Sequence, residues 1–256
     1  MIDKSIILKL RQQSGAGMVE CQKALEESNG NMEEAVEILR KKGSIKAASK
    51  AERATKEGII AIKVADDKKK GAMVKVHCET DFVSRNENFI NLLNELVEKT
   101  FAGESAEKHF ESQKSDLVMK IGENLQFGGE ATIEGAFVVS YLHSNRKNGV
   151  LIAFDKEIDA TLASGVAMHV AAMQPEYLKA EQIPADIIAK EKEIYTEQLK
   201  AEGKPEAIIE KIMGGKLNKF YEDNCLLNQK FVKDDSKSIQ EVIKDANITS
   251  YLLFKI

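Results

Sequence analysis

The sequence contains no tryptophan, three prolines and four histidines. None of its apolar runs reaches the roughly 18 to 20 residues that a membrane-spanning helix needs. Its three cysteines, Cys21, Cys78 and Cys225, are odd in number, far apart and without a Cys-x-x-Cys pair. That argues against a disulfide framework and points to a reducing, cytoplasmic setting. Neither sign of charge dominates: 37 basic residues face 41 acidic ones, a formal net charge of -4. Such a balance supplies no whole-molecule field to gather nucleic acid or an anionic membrane, so a charge-driven partner has to meet a local patch. The N-terminal MIDKSIILKLRQQ has no long apolar core and no small-residue cleavage site, and is not expected to be a secretory leader.

Motifs for chemistry are equally scarce. A phosphate-binding Walker loop needs a glycine five residues before its Gly-Lys pair, but Gln198 precedes Gly203-Lys204 and Glu210 precedes Gly215-Lys216. Gly15-Ala16-Gly17 resembles half of a dinucleotide fingerprint, yet it lies between two helical patterns and follows no strand. His77, His109, His143 and His169 have no zinc-ligand spacing with one another or with the cysteines. His169, among Met168, Val170, Ala171 and Ala172, reads on its own as a satisfied, partly buried core histidine, and Cys21 as a core thiol. No cofactor or metal is implied. A binding protein fits this scarcity, while a hydrolase with a site assembled from scattered carboxylates stands as a rival that turnover without a partner would reveal.

What the chain does have is 256 residues with 43% hydrophobic and 30% charged content, enough for one large core or two to three smaller domains. Residues 1 to 43 read as three short helices. The third has Met32, Ala35, Val36 and Leu39 at helical spacing, with Asn31 and Glu34 to cap its start and Gly43 after its last turn. Seven basic residues follow between Arg40 and Lys56, against the single acidic Glu52. This stretch, with a boundary set at 44 to 57, reads as an exposed linker or frayed helix. The alternative is a nucleic-acid patch, which lacks the interleaved aromatics that stack bases.

Residues 59 to 64 and 72 to 78 alternate as two strands of a hairpin, and Phe89, Leu92, Leu93, Leu96 and Val97 stripe the helix that follows. Ser84 and Glu87 fit a capping box for that helix. A helix end at Leu117 to Ile121, strands at 136 to 142 and 150 to 154 and a helix from Ala160 to Met173 come next. Strands followed by helices thus occur twice, which predicts an α+β fold with a core of two similar parts, 58 to 142 and 143 to 183. Two amphipathic helices joined at Glu202-Gly203-Lys204-Pro205 predict an antiparallel helical hairpin over 184 to 221. Residues 222 to 256 return to the second part of the core, with a short helix near Ile239 and a last strand from Tyr251. The apolar face of the hairpin packs on the chain's own core, in a homodimer or against a third partner.

Several segments, in order, resemble the elongation factor Ts family. Leu10-Arg11, Ser14 to Met18, Cys21, Lys23-Ala24-Leu25 and Leu39-Arg40 are similar to its N-terminal module. Thr80-Asp81-Phe82-Val83 is similar to a first core signature, Lys120 to Asn124 to a second, and Met168-His169-Val170-Ala171-Ala172 to a third. Glu202 to Pro205, Cys225-Leu226-Leu227 with Gln229, and Phe231 to Asp234 complete the series. Val19-Glu20 stands where many relatives have Met-Asp, and a C-terminal helical extension of some members has no counterpart.

The resemblance implies a ubiquitin-associated-like helical module, a two-part α+β core and a coiled-coil hairpin insertion. It also implies an activity: nucleotide exchange on the GTPase elongation factor Tu, without a catalytic site. Implied contacts are Thr80, Asp81, Phe82, Val83, Met18, Val19, Met168 and His169, with Asp81 and Phe82 disturbing the nucleotide and magnesium site. The residues alone place Asp81 and Phe82 in a strand-to-helix loop, where Phe82 either folds back into its own core or stands out as a partner's anchor. An RNA-binding translation accessory protein using the basic 40 to 56 stretch is the second rival, marked by salt-sensitive RNA retention.

Overall fold

The structure, a computed structural model, describes residues 2–256. It opens with three helices, α1 (Lys4–Ser14), α2 (Met18–Glu27) and α3 (Met32–Lys50). Asp3 and Asn31 cap α1 and α3 by accepting backbone N–H groups of their first turns. Their apolar faces close on Leu10, Cys21, Ala24, Leu25, Ala35 and Leu39, which are buried together.

Next come β1 (Glu57–Val64), β2 (Lys70–Cys78), α4 (Asp81–Ser84), α5 (Glu87–Ala102), α6 (Ala106–Ile121) and β3 (Leu125–Glu134). The strands form one antiparallel sheet in the order β1-β2-β3. Asn86, not Ser84, caps α5, by accepting from Asn88 N; the Ser84 hydroxyl donates to the Asp81 carbonyl inside α4. Asp81 and Phe82 therefore lie on a one-turn helix and not in an open loop.

The third helix overruns its expected end. Gly43 is buried in the middle of α3, and a Cβ there would sit 2.8 Å from Met119 Sδ of α6. Glycine lets the two helices approach closely at this crossing, where a side chain would have to displace Met119, and its helix-weakening tendency is overridden by the packing. The expected linker from 44 to 57 is accordingly helical as far as Lys50.

The second half contains β4 (Phe137–Leu142), β5 (Asn148–Phe154), α7 (Ala160–Met173), α8 (Ala185–Ala201), α9 (Glu206–Asn224), β6 (Lys230–Phe231), β7 (Asp234–Ser238), α10 (Ile239–Ile243) and β8 (Ile248–Lys255). Its main sheet runs β4-β5-β8, antiparallel throughout. The boundary expected at 142 is thus displaced, because β4 pairs with β5 and belongs to the second sheet. Each sheet is a hairpin, then helix, then a third strand that returns beside the hairpin's second strand.

Alternation along the strands sets the layers. On β1, Ile59 and Ala61 face α5 and α6, while Ile60 joins Met73, Val138, Leu151 and Ala153 in a cluster between the two sheets. On β5, Val150, Ile152 and Phe154 face the opposite way, against Ala163, Val166, Ala167 and Val170 of α7. The core is therefore helix, sheet, sheet, helix. Each central strand is buried on both faces, which explains why β5 reads as a continuous apolar run.

α8 and α9 pack on each other. Among the described residues neither contributes to the four buried clusters, and only Leu199 and Ile209 of the pair are fully covered. The reading in which the hairpin's apolar face packs on the core is not what the structure adopts; that face remains partly open, with Ile194 and Ile208 exposed.

Candidate functional site

One turn of helix turns successive side chains by about 100°. On α4 this directs Val83 and Ser84 inward, and Val83 joins the cluster under α5. Phe82 is left outside, 82% exposed, the most exposed large apolar residue among those described. The alternative in which Phe82 folds back into its own core is excluded. Asp81 is partly exposed and pairs with Arg85 at 3.0 Å, an i,i+4 surface bridge worth about 0.3 to 0.5 kcal/mol. A cleft of about 700 Å3 opens alongside, with Asp81, Arg85 and Ile90 on one side and Asn145, Arg146 and Lys147 of the β4–β5 turn on the other.

The turn rests on a rigid base. Glu123 Oε2 accepts from the backbone N–H groups of Glu79 (3.0 Å) and Thr80 (2.9 Å), and its Oε1 accepts the Thr80 hydroxyl at 2.5 Å. Glu79 Oε1 accepts from Asn124 N at 2.6 Å. The Asn124 amide donates to the carbonyls of Ala51 (3.2 Å) and Arg53 (2.8 Å), and Lys50 reaches the carbonyl of Gly122. Residues of the first and second signatures, 43 apart in sequence, thus meet at one place. The second signature contains Glu123, but no local pattern gives its role, because its partners are groups of Glu79 and Thr80, 44 and 43 positions away.

The third signature sits in the other half, on α7. Met168 is exposed, but His169 is fully buried. Its Nε2 pairs with Gln229 Oε1 at 3.0 Å and its Nδ1 accepts from Val232 N at 3.3 Å, so the neutral ring satisfies both nitrogens. Gln229 is oriented in turn by donating to the Asp223 carbonyl. Burial pushes the His169 pKa below its ordinary value, with the Gln229 bond pulling partly back. As placed, His169 joins α7 to the segment around β6 and has no free surface of its own.

At the start of α2, Val19 is 65% exposed, whereas Met18, the other contact implied there, is half-buried against the cluster of the first three helices. The turn of α2 directs Met18 toward that cluster, which leaves Val19 as the exposed side chain of the pair. Thr80 to Val83, Met18 with Val19, and Met168 with His169 stand on three different elements packed on different neighbours: α4 on β1, β2 and α5, α2 on α1 and α3, and α7 on β4 and β5.

The basic stretch is largely engaged internally. Lys42 pairs with Glu27 at 2.6 Å, Lys46 with Glu20, and Arg53 with Glu79 at 3.6 Å. These are exposed pairs that break at small cost, so they neutralise the stretch in part and leave its basic side chains at the surface. The thiols are poor nucleophiles: all three are buried, and burial pushes Cys78 up to about 12 and Cys225 up to about 11. The remaining histidines are far apart, His109 against Glu95 and Gln113, His143 against Tyr141. No group of three or more metal-ligating side chains occurs among the described residues, and no helix there is long and apolar enough to cross a membrane.

Comparison with known proteins bears on this surface. A family model described as "Elongation factor TS" matches residues 79–256. The chain is 46% identical to the elongation factor Ts of a Nitratiruptor species, over 96% of this chain and 87% of that protein. It is 44% identical to that of a Hydrogenobaculum species, over 94% and 92%. With that of Aquifex aeolicus the identity is 41%, over 94% and 92%.

Proposed function

Because this chain belongs to the elongation factor Ts family of translation elongation factors, we propose that it is a guanine-nucleotide exchange factor for the GTPase elongation factor Tu and works by binding, without chemistry of its own. The observation that carries the reading is Phe82, an aromatic held outside its own core on a turn whose base is fixed by hydrogen bonds. A rigidly presented aromatic loses little conformational freedom on docking and makes a good anchor, with about 2 kcal/mol or more lost on truncation.

In the proposed mechanism Phe82 enters the nucleotide-binding domain of the GTPase beside the magnesium site. Asp81 leaves Arg85, at the small cost of a surface bridge, and competes for the polar groups that hold magnesium and phosphate. Thr80 and Val83 fix the turn from either side. Exchange is reciprocal: the factor by which this chain weakens nucleotide binding is the factor by which nucleotide weakens its own. Moving the complex from 1:99 to 99:1 takes about 5.5 kcal/mol of differential binding, more than one anchor supplies. Further grips are needed. Residues 1 to 43, read as a ubiquitin-associated-like module with Val19 outward and Met18 beneath it, are assigned one of them, and Met168 over the buried His169 the other.

The hairpin, read as a coiled coil over 184 to 221, is assigned to self-association. It leaves a furrow of about 880 Å3 in which Ala207, Ile209, Met213 and Leu217 are bordered by Lys192, Lys200, Glu206 and Glu210. Replacing 186 to 221 by a short Gly-Ser linker is expected to turn a two-chain particle into a one-chain particle while exchange persists; an unmutated protein with one chain per particle, or a variant that still has two, contradicts the assignment.

Release of fluorescent GDP from elongation factor Tu, with and without this protein, tests the main reading. Acceleration supports it, and unchanged release contradicts it. Loss of RNA retention with salt, in the absence of any effect on GDP, would favour the RNA-binding rival instead.

A further inference from the structure

We propose that Glu123 is a positioning residue for exchange: its carboxylate latches the start of the α4 turn and thereby holds Phe82 in the orientation that enters the partner. The proposal rests on the exchange reading and names the part of the fold that makes the anchor rigid.

Cys78 and Leu125 are the last residues of β2 and β3 to face each other, and beyond them the strands diverge. Backbone N–H groups that leave a ladder need new acceptors. Here two carboxylates cross over to supply them. Glu123 takes the N–H groups of Glu79 and Thr80, and Glu79 takes that of Asn124. Glu123 also takes the Thr80 hydroxyl. That last bond matters because Thr80 occupies the N-cap position of α4, where its hydroxyl would ordinarily accept from the turn's own backbone; no such bond is made. The turn is thus held from outside, by a residue of the second signature.

Phe82 is two residues from Thr80 and makes no buried contact of its own, so the direction of its ring is set by the direction of the turn. Val83 pins the turn from below and Glu123 pins its start. A carboxylate accepting three donors, all on residues 79 and 80, fixes that start more tightly than water can. Loss of the latch leaves Phe82 present but misdirected, and binding energy that depends on a near-attack placement falls steeply with small displacements.

The test is a double-mutant comparison on GDP release from elongation factor Tu, with the full chain in each case. Glu123→Ala is expected to slow stimulated release tenfold or more at saturating protein. Glu123→Gln, which keeps an acceptor oxygen for the two N–H groups and an amide for the Thr80 hydroxyl oxygen, is expected to recover most of that loss. The decisive variant is Glu123→Ala with Phe82→Ala: if Glu123 acts through Phe82, the pair is no slower than Phe82→Ala alone, whereas independent effects multiply.

Should Glu123→Ala fail to fold, Thr80→Val removes only the hydroxyl bond at nearly constant volume and enters the same comparison. Normal release by Glu123→Ala, or multiplication of the two effects, overturns the latch while leaving the exchange reading intact. No stimulated release by the unmutated chain overturns the exchange reading itself, and the latch with it.

Discussion

Phe82 and His169 mark two segments that resemble the same family, one in each half of the core, and the fold treats them in opposite ways. Phe82 is pushed out of its own sheet's core, on a turn whose backbone is satisfied by Glu123. His169 is drawn in, and both ring nitrogens are engaged by Gln229 and Val232. A motif therefore does not say whether its polar or aromatic residue is a contact or a support. Burial and hydrogen-bond satisfaction say it. We expect the first residue, when lost, to cost the partner complex, and the second to cost the fold.

That contrast breaks most visibly at His169. Truncation to alanine removes a buried ring and strands the Gln229 carbonyl and the Val232 N–H. We expect His169→Ala to cost about 3 kcal/mol in denaturant unfolding, with exchange per folded molecule kept within about twofold. A variant of normal stability with poor exchange would move His169 to the contact side.

The same residue gives a smaller, pH-dependent effect. Its pKa in the fold lies below the ordinary value of 6.5 because burial disfavours the charged ring. The unfolded chain then binds the proton first as pH falls, so stability is full above about pH 6.5 and declines below it, until the folded value is passed. His77 is lowered by burial as well, and by Lys75. Thermal melts between pH 7 and pH 5 are therefore expected to show a shallower decline for His169→Ala than for the unmutated chain, but not a flat one. Smallest is the effect of Asp81→Ala on stability, about 0.3 to 0.5 kcal/mol for the lost Arg85 bridge. Its effect on exchange is expected to be larger than its effect on the fold; the reverse ordering would make Asp81 a structural residue.

Much of the architecture was legible in the sequence where the signal is local. The cap at Asn31, the β1–β2 hairpin, the stripe from Phe89 to Val97 and the paired helices around Gly203 all follow from spacing and turn chemistry. Strand β3 was missed because Gly128, Gly129 and several polar residues interrupt its alternation; a bulge opposite Lys75 and Val76 absorbs the irregularity. The end at Gly43 misled because its glycine serves a helix crossing. At the site, the segment around Phe82 was found by resemblance, and its outward direction by neither composition nor periodicity. What was invisible is what joins distant residues: Glu123 to Thr80, and His169 to Gln229, 60 positions away.

The central claim is that Phe82 is an anchor for the partner and not a part of the core. Its most direct test measures two quantities on one variant, the rate of fluorescent GDP release from elongation factor Tu and the unfolding free energy of Phe82→Ala. We predict a loss of about 30-fold or more in stimulated release, as truncation of an anchor worth about 2 kcal/mol requires, with stability within about 0.5 kcal/mol of the unmutated chain. Normal release, or a loss of release matched by a loss of folding, would contradict it.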